Sequence, residues 1–463
     1  MRQGVIAAIS TPPGKGGVAI IRISGTGAFE IIDRIFSPMG RLPLSERPAR
    51  TQVYGYIIYN EEKIDDVMVT RFPAPHSYTG EDVVEISCHG GILVTRTVLE
   101  AVLQAGAIPA DAGEFTRRAF INGRLTLTET EAIGSLLEAQ SREQMRLSSL
   151  PSRTRLRERI EEIRAALTTV LGSVYARIDY PEEDLGELTD EATVAELVRI
   201  LDSLDTLIST YRTGRAITEG ISAVICGKPN AGKSTLYNLL VGEDAAIVTD
   251  IPGTTTDILE RSVPLGRVML RLYDTAGIRG GEGVGRVEKI GIERTLDRLC
   301  TAELIIAVFD LSRPFDSGDR ETLDAVGKAS GAKICILNKA DTDRRMLCRE
   351  ELPDIFDEYI EASATEGEAA VVSELSRAVE RMFTDEKITV SAQAIVSSAR
   401  QHAALTRTRE LVNSAILAYR DGMPADAASS DIEMALGAIG ELDGRAVSES
   451  VVSDIFSRFC VGK

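Results

Sequence analysis

The residues best suited to chemistry are Gly227-Lys228-Pro229-Asn230-Ala231-Gly232-Lys233-Ser234, which fit the spacing GxxxxGK[ST]. They follow the apolar run Ile221 to Cys226 and precede a helix predicted to begin near Thr235. In such a loop glycines let backbone N–H groups turn inward around phosphate oxygens. Lys233 would reach the β- and γ-phosphates, Ser234 would ligate Mg²⁺, and the helix N-terminus adds a favourable field. Val268 to Tyr273 reads as a strand ending at Asp274-Thr275-Ala276-Gly277, where a carboxylate can hold Mg²⁺ and a glycine can sense the γ-phosphate. Thr255 is the candidate second hydroxyl on the metal.

Base choice is written in Asn338-Lys339-Ala340-Asp341, after the strand Lys333 to Leu337. Asp341 can accept two hydrogen bonds from guanine, and adenine would leave that carboxylate poorly paired. Asn338 ties the loop, Lys339 can cover the ring, and Ser363-Ala364 after Tyr359 to Glu361 offers a backbone N–H to the guanine oxygen. The expected chemistry is hydrolysis of GTP. Ile278 follows Gly277, so the water-orienting glutamine of Ras-type sites is absent. Glu288 is the favoured water-positioning carboxylate, although spacing alone does not separate it from Glu282 or Glu293.

These motifs need a scaffold. From Ile221 to about Phe383 strands and helices alternate, the pattern of a doubly wound parallel sheet of the Ras-like P-loop kind. On either side the texture is helical: Ile160, Ile163, Leu167, Val170, Leu171, Val174 and Ile178 form one stripe, and Leu197, Ile200, Leu201, Leu204, Leu207, Ile208 and Tyr211 another. A third helical region begins near Ser391. Because domain termini often lie close together, the α/β unit is expected to be inserted into one helical domain built from both flanks. The N-terminal stretch mixes β-rich runs with Gly/Pro turns and reads as α+β. The expected divisions are 1–122, 123–217, 218–384 and 385–463.

Composition narrows the classes further. The formal charge of −18 opposes indiscriminate adhesion to nucleic acid, so an RNA partner needs a local basic patch. Arg142, Arg146, Arg153, Arg155, Arg157, Arg159 and Arg164 form the candidate, with solvated helix faces as the other reading. Six scattered cysteines without a CxxC pair suggest neither a disulfide framework nor a zinc site. No run approaches the ~18 apolar residues of a membrane span, and the N-terminus lacks a signal-peptide apolar region, so a cytoplasmic address is expected.

Both ends of the chain carry further motifs. Thr11-Pro12-Pro13-Gly14-Lys15-Gly16-Gly17-Val18 is followed by Arg22-Ile23-Ser24-Gly25, Ser77-Tyr78-Thr79-Gly80-Glu81-Asp82, His89-Gly90-Gly91 and Gly113-Glu114-Phe115-Thr116-Arg117-Arg118-Ala119-Phe120. The chain ends Phe459-Cys460-Val461-Gly462-Lys463. With the nucleotide motifs, this set resembles the bacterial MnmE (TrmE) family of tRNA-modification GTPases over essentially the full length. The resemblance implies an N-terminal dimerisation domain that binds a 5-formyl-tetrahydrofolate-type one-carbon donor, a helical domain and an inserted G domain. It further implies homodimerisation through the first of these, the flavoprotein MnmG as partner in a heterotetramer, and tRNA as substrate.

Residue by residue, the resemblance carries folate contacts to Arg22, Glu85, Arg124 and Lys463, with arginine at 124 where many relatives have lysine. It implies a K⁺ site made by the Asn230 side chain and backbone oxygens of Thr249, Ile251 and Thr254. The nucleotide site then takes in Thr249, Asp250, Ile251, Pro252, Gly253, Thr254 and Thr255. Glu288 aligns with the family's catalytic glutamate, and Cys460 with its tail cysteine, which can be either a reactive or a packing thiol. Thr256 stands where the family commonly has arginine. The main rival reading is a GTPase switch for ribosome assembly with no modification chemistry, and a second is a folate enzyme that uses its G domain only for assembly.

Overall fold

The computed structural model describes residues 4–40, 42–179, 189–242, 260–273, 298–342, 345–363, 368–445, 447–457 and 459–462. The chain forms two compact units, one of Met1–Leu137, Ile160–Leu188 and Leu417–Lys463, the other of Glu138–Arg159 and Thr189–Ile416.

The first unit is built on a seven-stranded sheet. Its strands are β1 (Ile6–Ile9), β2 (Val18–Ser24), β3 (Phe36–Pro38), β4 (Gln52–Tyr59), β5 (Glu62–Phe72), β6 (Val83–His89) and β7 (Ile108–Pro109), in the order β3-β4-β5-β6-β2-β1-β7. Alternation fixes which face is dry: Ile21, Ile23, Val67, Val69, Val84 and Ile86 are buried against Ile31 and Ile32 of the helix Ala28–Ile35 and Val98 and Val102 of the helix Ile92–Gln104. Arg22 on β2 lies in register opposite Glu85 on β6, so the two side chains share one face. Among the helices of this unit, Leu127–Glu138 meets Ala425–Asp443 where Thr128 Oγ1 donates to the Leu442 carbonyl at 2.8 Å. Sequence before the α/β segment thus packs on sequence after it.

The second unit holds a six-stranded sheet of β8 (Ile221–Cys226), β9 (Glu260–Leu265), β10 (Val268–Tyr273), β11 (Leu304–Asp310), β12 (Ala332–Asn338) and β13 (Glu358–Ala362). The order is β13-β12-β11-β8-β10-β9, and all neighbours are parallel except β10 with β9. β8 and β11 are buried along their whole length, as strands covered on both faces must be. At the amino edge of the sheet Glu303 accepts from the backbone and hydroxyl of Ser222 at 3.1 and 3.2 Å and pairs with Arg215 of the helix Tyr211–Thr218. Burial works to raise the Glu303 pKa, but the Arg215 and Ser222 hydrogen bonds outweigh it and hold the carboxyl below its ordinary value. The same helix presses on the chain beyond the sheet: Val396 N donates to Thr210 Oγ1 at 3.0 Å, and a Cβ on Gly214 would lie 2.0 Å from the Val396 carbonyl.

Two helix starts differ from those expected. The helix predicted near Thr235 begins at Lys233, because Gly232 in the left-handed region ends the loop two residues earlier. The third helical region, expected from Ser391, becomes helical only at Ala399, since residues 391–398 are spent on contacts such as that from Val396. Among the described residues no helix is long and apolar enough to cross a membrane.

Candidate functional site

The carboxyl ends of β8, β11 and β12 open on one cavity of about 550 Å³, within the range of small-molecule sites. Asn230, Lys233, Ser234 and Thr235 line one side, and Asn338, Lys339 and Asp341 the other. Parallel pairing explains the meeting, because it brings the ends of several strands to one edge, where the following turns converge.

Close approach fixes the loop backbone. Gly227 has φ +141°, and a Cβ there would sit 2.4 Å from the Val308 carbonyl. Gly232 has φ +108°, and its Cβ would sit 1.9 Å from Asn338 Nδ2, which donates to the Ala231 carbonyl at 2.8 Å. The two motifs are therefore physically joined at a point where only glycine fits. Lys233 Nζ donates to the Lys228 carbonyl at 2.8 Å, and burial pushes the Lys233 pKa down. A half-buried amine whose hydrogen-bond partner among the described residues is a carbonyl is a cation that an incoming phosphate would stabilise. Lys228 itself leaves the loop to pair with Asp316 and Asp319 at 2.9 and 2.7 Å, anchoring the loop to the start of the helix Ser317–Lys328.

On the opposite side Lys339 takes φ +64°, and Ala340 N donates to the Ala362 carbonyl at 3.0 Å, which sets the turn that presents Asp341. Ser363 follows β13 and is buried. Ser312 and Thr342 also line the cavity and were not expected. Thr342 adjoins the motif at Asp341, whereas Ser312 had only its place after the apolar strand β11 as a signal. Thr249, Asp250, Ile251, Pro252, Gly253, Thr254, Thr255, Asp274, Thr275, Ala276, Gly277, Glu288 and Ala364 lie outside the described residues, as does Thr256.

A second constellation lies in the first unit. Arg22 Nε and Nη2 donate to Glu85 Oε1 at 3.0 and 2.8 Å, and the guanidinium stands 5.3 Å from the Tyr78 ring centre and 5.7 Å from that of Phe115. Phe456 and Phe459 are buried near Phe120 and Ile133, Phe459 lying past the end of the helix Glu449–Ser457. The chain then pairs Val461 antiparallel with Ala112. The Gly462 carbonyl accepts from Ser10 Oγ at 3.0 Å and Arg22 Nη1 at 3.5 Å. The tail is thus threaded to the Arg22–Glu85 pair. Cys460 is exposed, and its carbonyl accepts from Gly113 N at 3.4 Å. Arg124 is exposed with its Cγ beside Gly80, two residues from Tyr78, while Lys463 lies outside the described residues.

The basic patch is partly committed to the fold. Arg155 donates to the Val390 carbonyl at 3.0 Å, Arg159 to Ser203 Oγ at 3.0 Å, and Arg146 and Arg164 pair with Glu143 and Glu161.

Comparison with known proteins bears on the whole length. The family model described as GTP-binding protein TrmE N-terminus matches residues 5–124, and that described as MnmE helical domain matches residues 127–460. The chain is 39% identical to the tRNA modification GTPase MnmE of Moorella thermoacetica, with 100% of both chains covered. It is 38% identical to that of Acetivibrio thermocellus and 37% to that of Carboxydothermus hydrogenoformans, again over 100% of each. With the guanine-nucleotide motifs gathered on one cavity and both family models matched in order along it, the chain belongs to the MnmE (TrmE) family of tRNA modification GTPases.

Proposed function

We propose that this chain is the GTP-hydrolysing component of a tRNA wobble-uridine C5 modification system. It draws a one-carbon unit from a tetrahydrofolate and works with the flavoprotein MnmG to add an aminomethyl or carboxymethylaminomethyl group. The observation that carries the reading is that one chain holds both a guanine-type cavity and an Arg22–Glu85 pair closed by its own C-terminal tail. A pure assembly switch has no use for the second. The proposed division is an N-terminal folate and dimerisation domain over 1–122, a helical domain over 123–217 and 385–463, and a G domain over 218–384. A cytoplasmic location follows from the tRNA substrate.

In this reading the loop N–H groups and Lys233 bind the β- and γ-phosphates, while Asn338, Lys339 and Asp341 hold the base. Ser234, in the first turn of its helix and facing the cavity, fits a hard cation, and Thr255 and Asp274 would complete its set. Mg²⁺ held there supplies neutralisation of developing phosphate charge. Asn230 faces the same cavity with its backbone at φ +63°, and with Thr249, Ile251 and Thr254 it would hold K⁺, taking the place of an arginine finger. Hydrolysis is therefore expected to run faster in K⁺ than in Na⁺ at equal ionic strength; equal rates would remove the K⁺ assignment. Glu288 would position the attacking water. Glu288→Ala should bind GTP yet hydrolyse it about 10²-fold more slowly in a single turnover, and a parental rate would exclude the role.

The deciding experiment reconstitutes the chain with MnmG, tetrahydrofolate labelled in its one-carbon unit, and unmodified tRNA. Label should enter the wobble uridine only with GTP present. Modification without label transfer would overturn the folate half of the reading, and GTP-independent transfer the hydrolytic half.

A further inference from the structure

We infer that Asp310 is a specificity-side positioning residue of the nucleotide cavity, whose carboxylate tethers Lys339 so that the lysine stem is held across the face of the bound base. This rests on the guanine-nucleotide reading above and adds a residue that no motif contains.

The side chain of Asp310 is 1% exposed at the carboxyl end of β11, in register with Asn338 of β12. Both of its oxygens are spent on residues that line the cavity. Oδ1 accepts from Ser312 N at 2.9 Å and Ser312 Oγ at 2.5 Å, and Oδ2 accepts from Lys339 Nζ at 2.6 Å. Arg313 Nε approaches Oδ2 at 3.6 Å from the more exposed side. Buried carboxylates are costly unless paired and hydrogen-bonded, so this one is retained with a full set of partners. Lys339 is the opposite case: it sits in the left-handed region and is 37% exposed, a setting in which a four-carbon stem would otherwise sample many rotamers. Fixing its ammonium at Asp310 while its Cα is fixed by the turn leaves the stem stretched between two anchored ends. A stem so held presents an apolar edge to a planar ring without having to be ordered by it.

The contact acts on the base and not on the phosphates, so it predicts a particular pattern. Asp310→Asn should weaken GTP and GDP by the same factor, about tenfold, with the loss in the dissociation rate. The measurement is stopped-flow displacement of fluorescent GDP and GTP analogues from the full-length protein, with thermal melting of the nucleotide-free protein alongside. Lys339→Met and the double variant complete a cycle. The tether requires the two losses to be strongly non-additive, because once either end is gone the other has nothing to hold.

Three results would overturn it. They are dissociation rates within twofold of the parent's, a loss confined to GTP, and an additive cycle accompanied by a fall in melting temperature, which would mark Asp310 as a structural residue only. Should the parent chain bind neither fluorescent analogue, the underlying reading fails instead, and the parent's own binding of the analogues separates the two failures.

Discussion

Asp341→Asn is expected to lower GTP affinity by about 10²-fold or more and to raise affinity for XTP, inverting the order of the two nucleotides. The cavity presents Asp341 from a turn with little freedom: Asn338 is tied to the Ala231 carbonyl, Ala340 N to the Ala362 carbonyl, and Lys339 to Asp310. A carboxylate offered from so fixed a turn accepts from guanine's ring N–H and its exocyclic amino group together. An amide can accept from only one of these and must turn its N–H₂ toward the other, which leaves two donors facing each other. Xanthine has an oxygen where guanine has the amino group, so the same amide finds a partner there. Equilibrium titration with GTP, GDP and XTP checks the inversion, and an unchanged GTP-to-XTP ratio would remove Asp341 from the base site. The phosphate side is unaltered, so any loss of GDP binding should match that of GTP.

The nucleotide cavity was legible because its motifs are short loops whose spacing is dictated by backbone geometry. Gly227, Gly232, Lys233 and the run from Asn338 to Asp341 sit at strand ends that any parallel sheet brings to one edge. Asp310 was not legible. A single aspartate after an apolar strand looks like an ordinary strand-ending turn, and only the β11–β12 register sets it against Lys339, 29 residues away. The same reason hides the Lys228 tether to Asp316 and Asp319, since a lysine inside a phosphate loop gives no hint that its side chain points away from the ligand.

The N-terminal constellation shows a different limit. Arg22 and Glu85 are 63 residues apart and meet because β2 and β6 pair antiparallel, a fact of topology that alternation along either strand cannot supply. Family resemblance named both, and with them the tail. What remained out of reach was how a chain end could be held. Ile455, Phe456 and Phe459 announce an apolar face, but the register of Val461 on Ala112 and the fit of Gly462 are set by the loops they meet.

Deleting Val461 to Lys463 is accordingly expected to leave GTP turnover close to parental, to weaken tetrahydrofolate binding by about 10²-fold, and to abolish tRNA modification. The hydrogen bonds at stake are those at the Gly462 carbonyl, from Ser10 and from the Arg22 guanidinium, the latter a charged donor. Without them Arg22 keeps Glu85 and its two rings but loses the contact that caps its outer edge, and Ser10 is freed toward solvent. The helix Glu449–Ser457 and its Phe456–Phe459 contact lie before the cut, so the core they close should survive, and melting temperature should fall only slightly. Gly462→Ala offers a gentler version, for φ is +98° there and a Cβ would lie 2.3 Å from the Ile9 carbonyl. That single methyl should displace the tail and reproduce the folate defect in part. Cys460→Ser, at an exposed position whose contact runs through its own backbone, should spare folding and folate affinity, and any loss of modification in it would then report on the thiol. Calorimetric titration with 5-formyl-tetrahydrofolate, GTP turnover and melting curves on the three variants decide the matter. If truncation abolishes GTP hydrolysis and lowers the melting temperature while folate affinity survives, the tail closes a core and has no part in the one-carbon site.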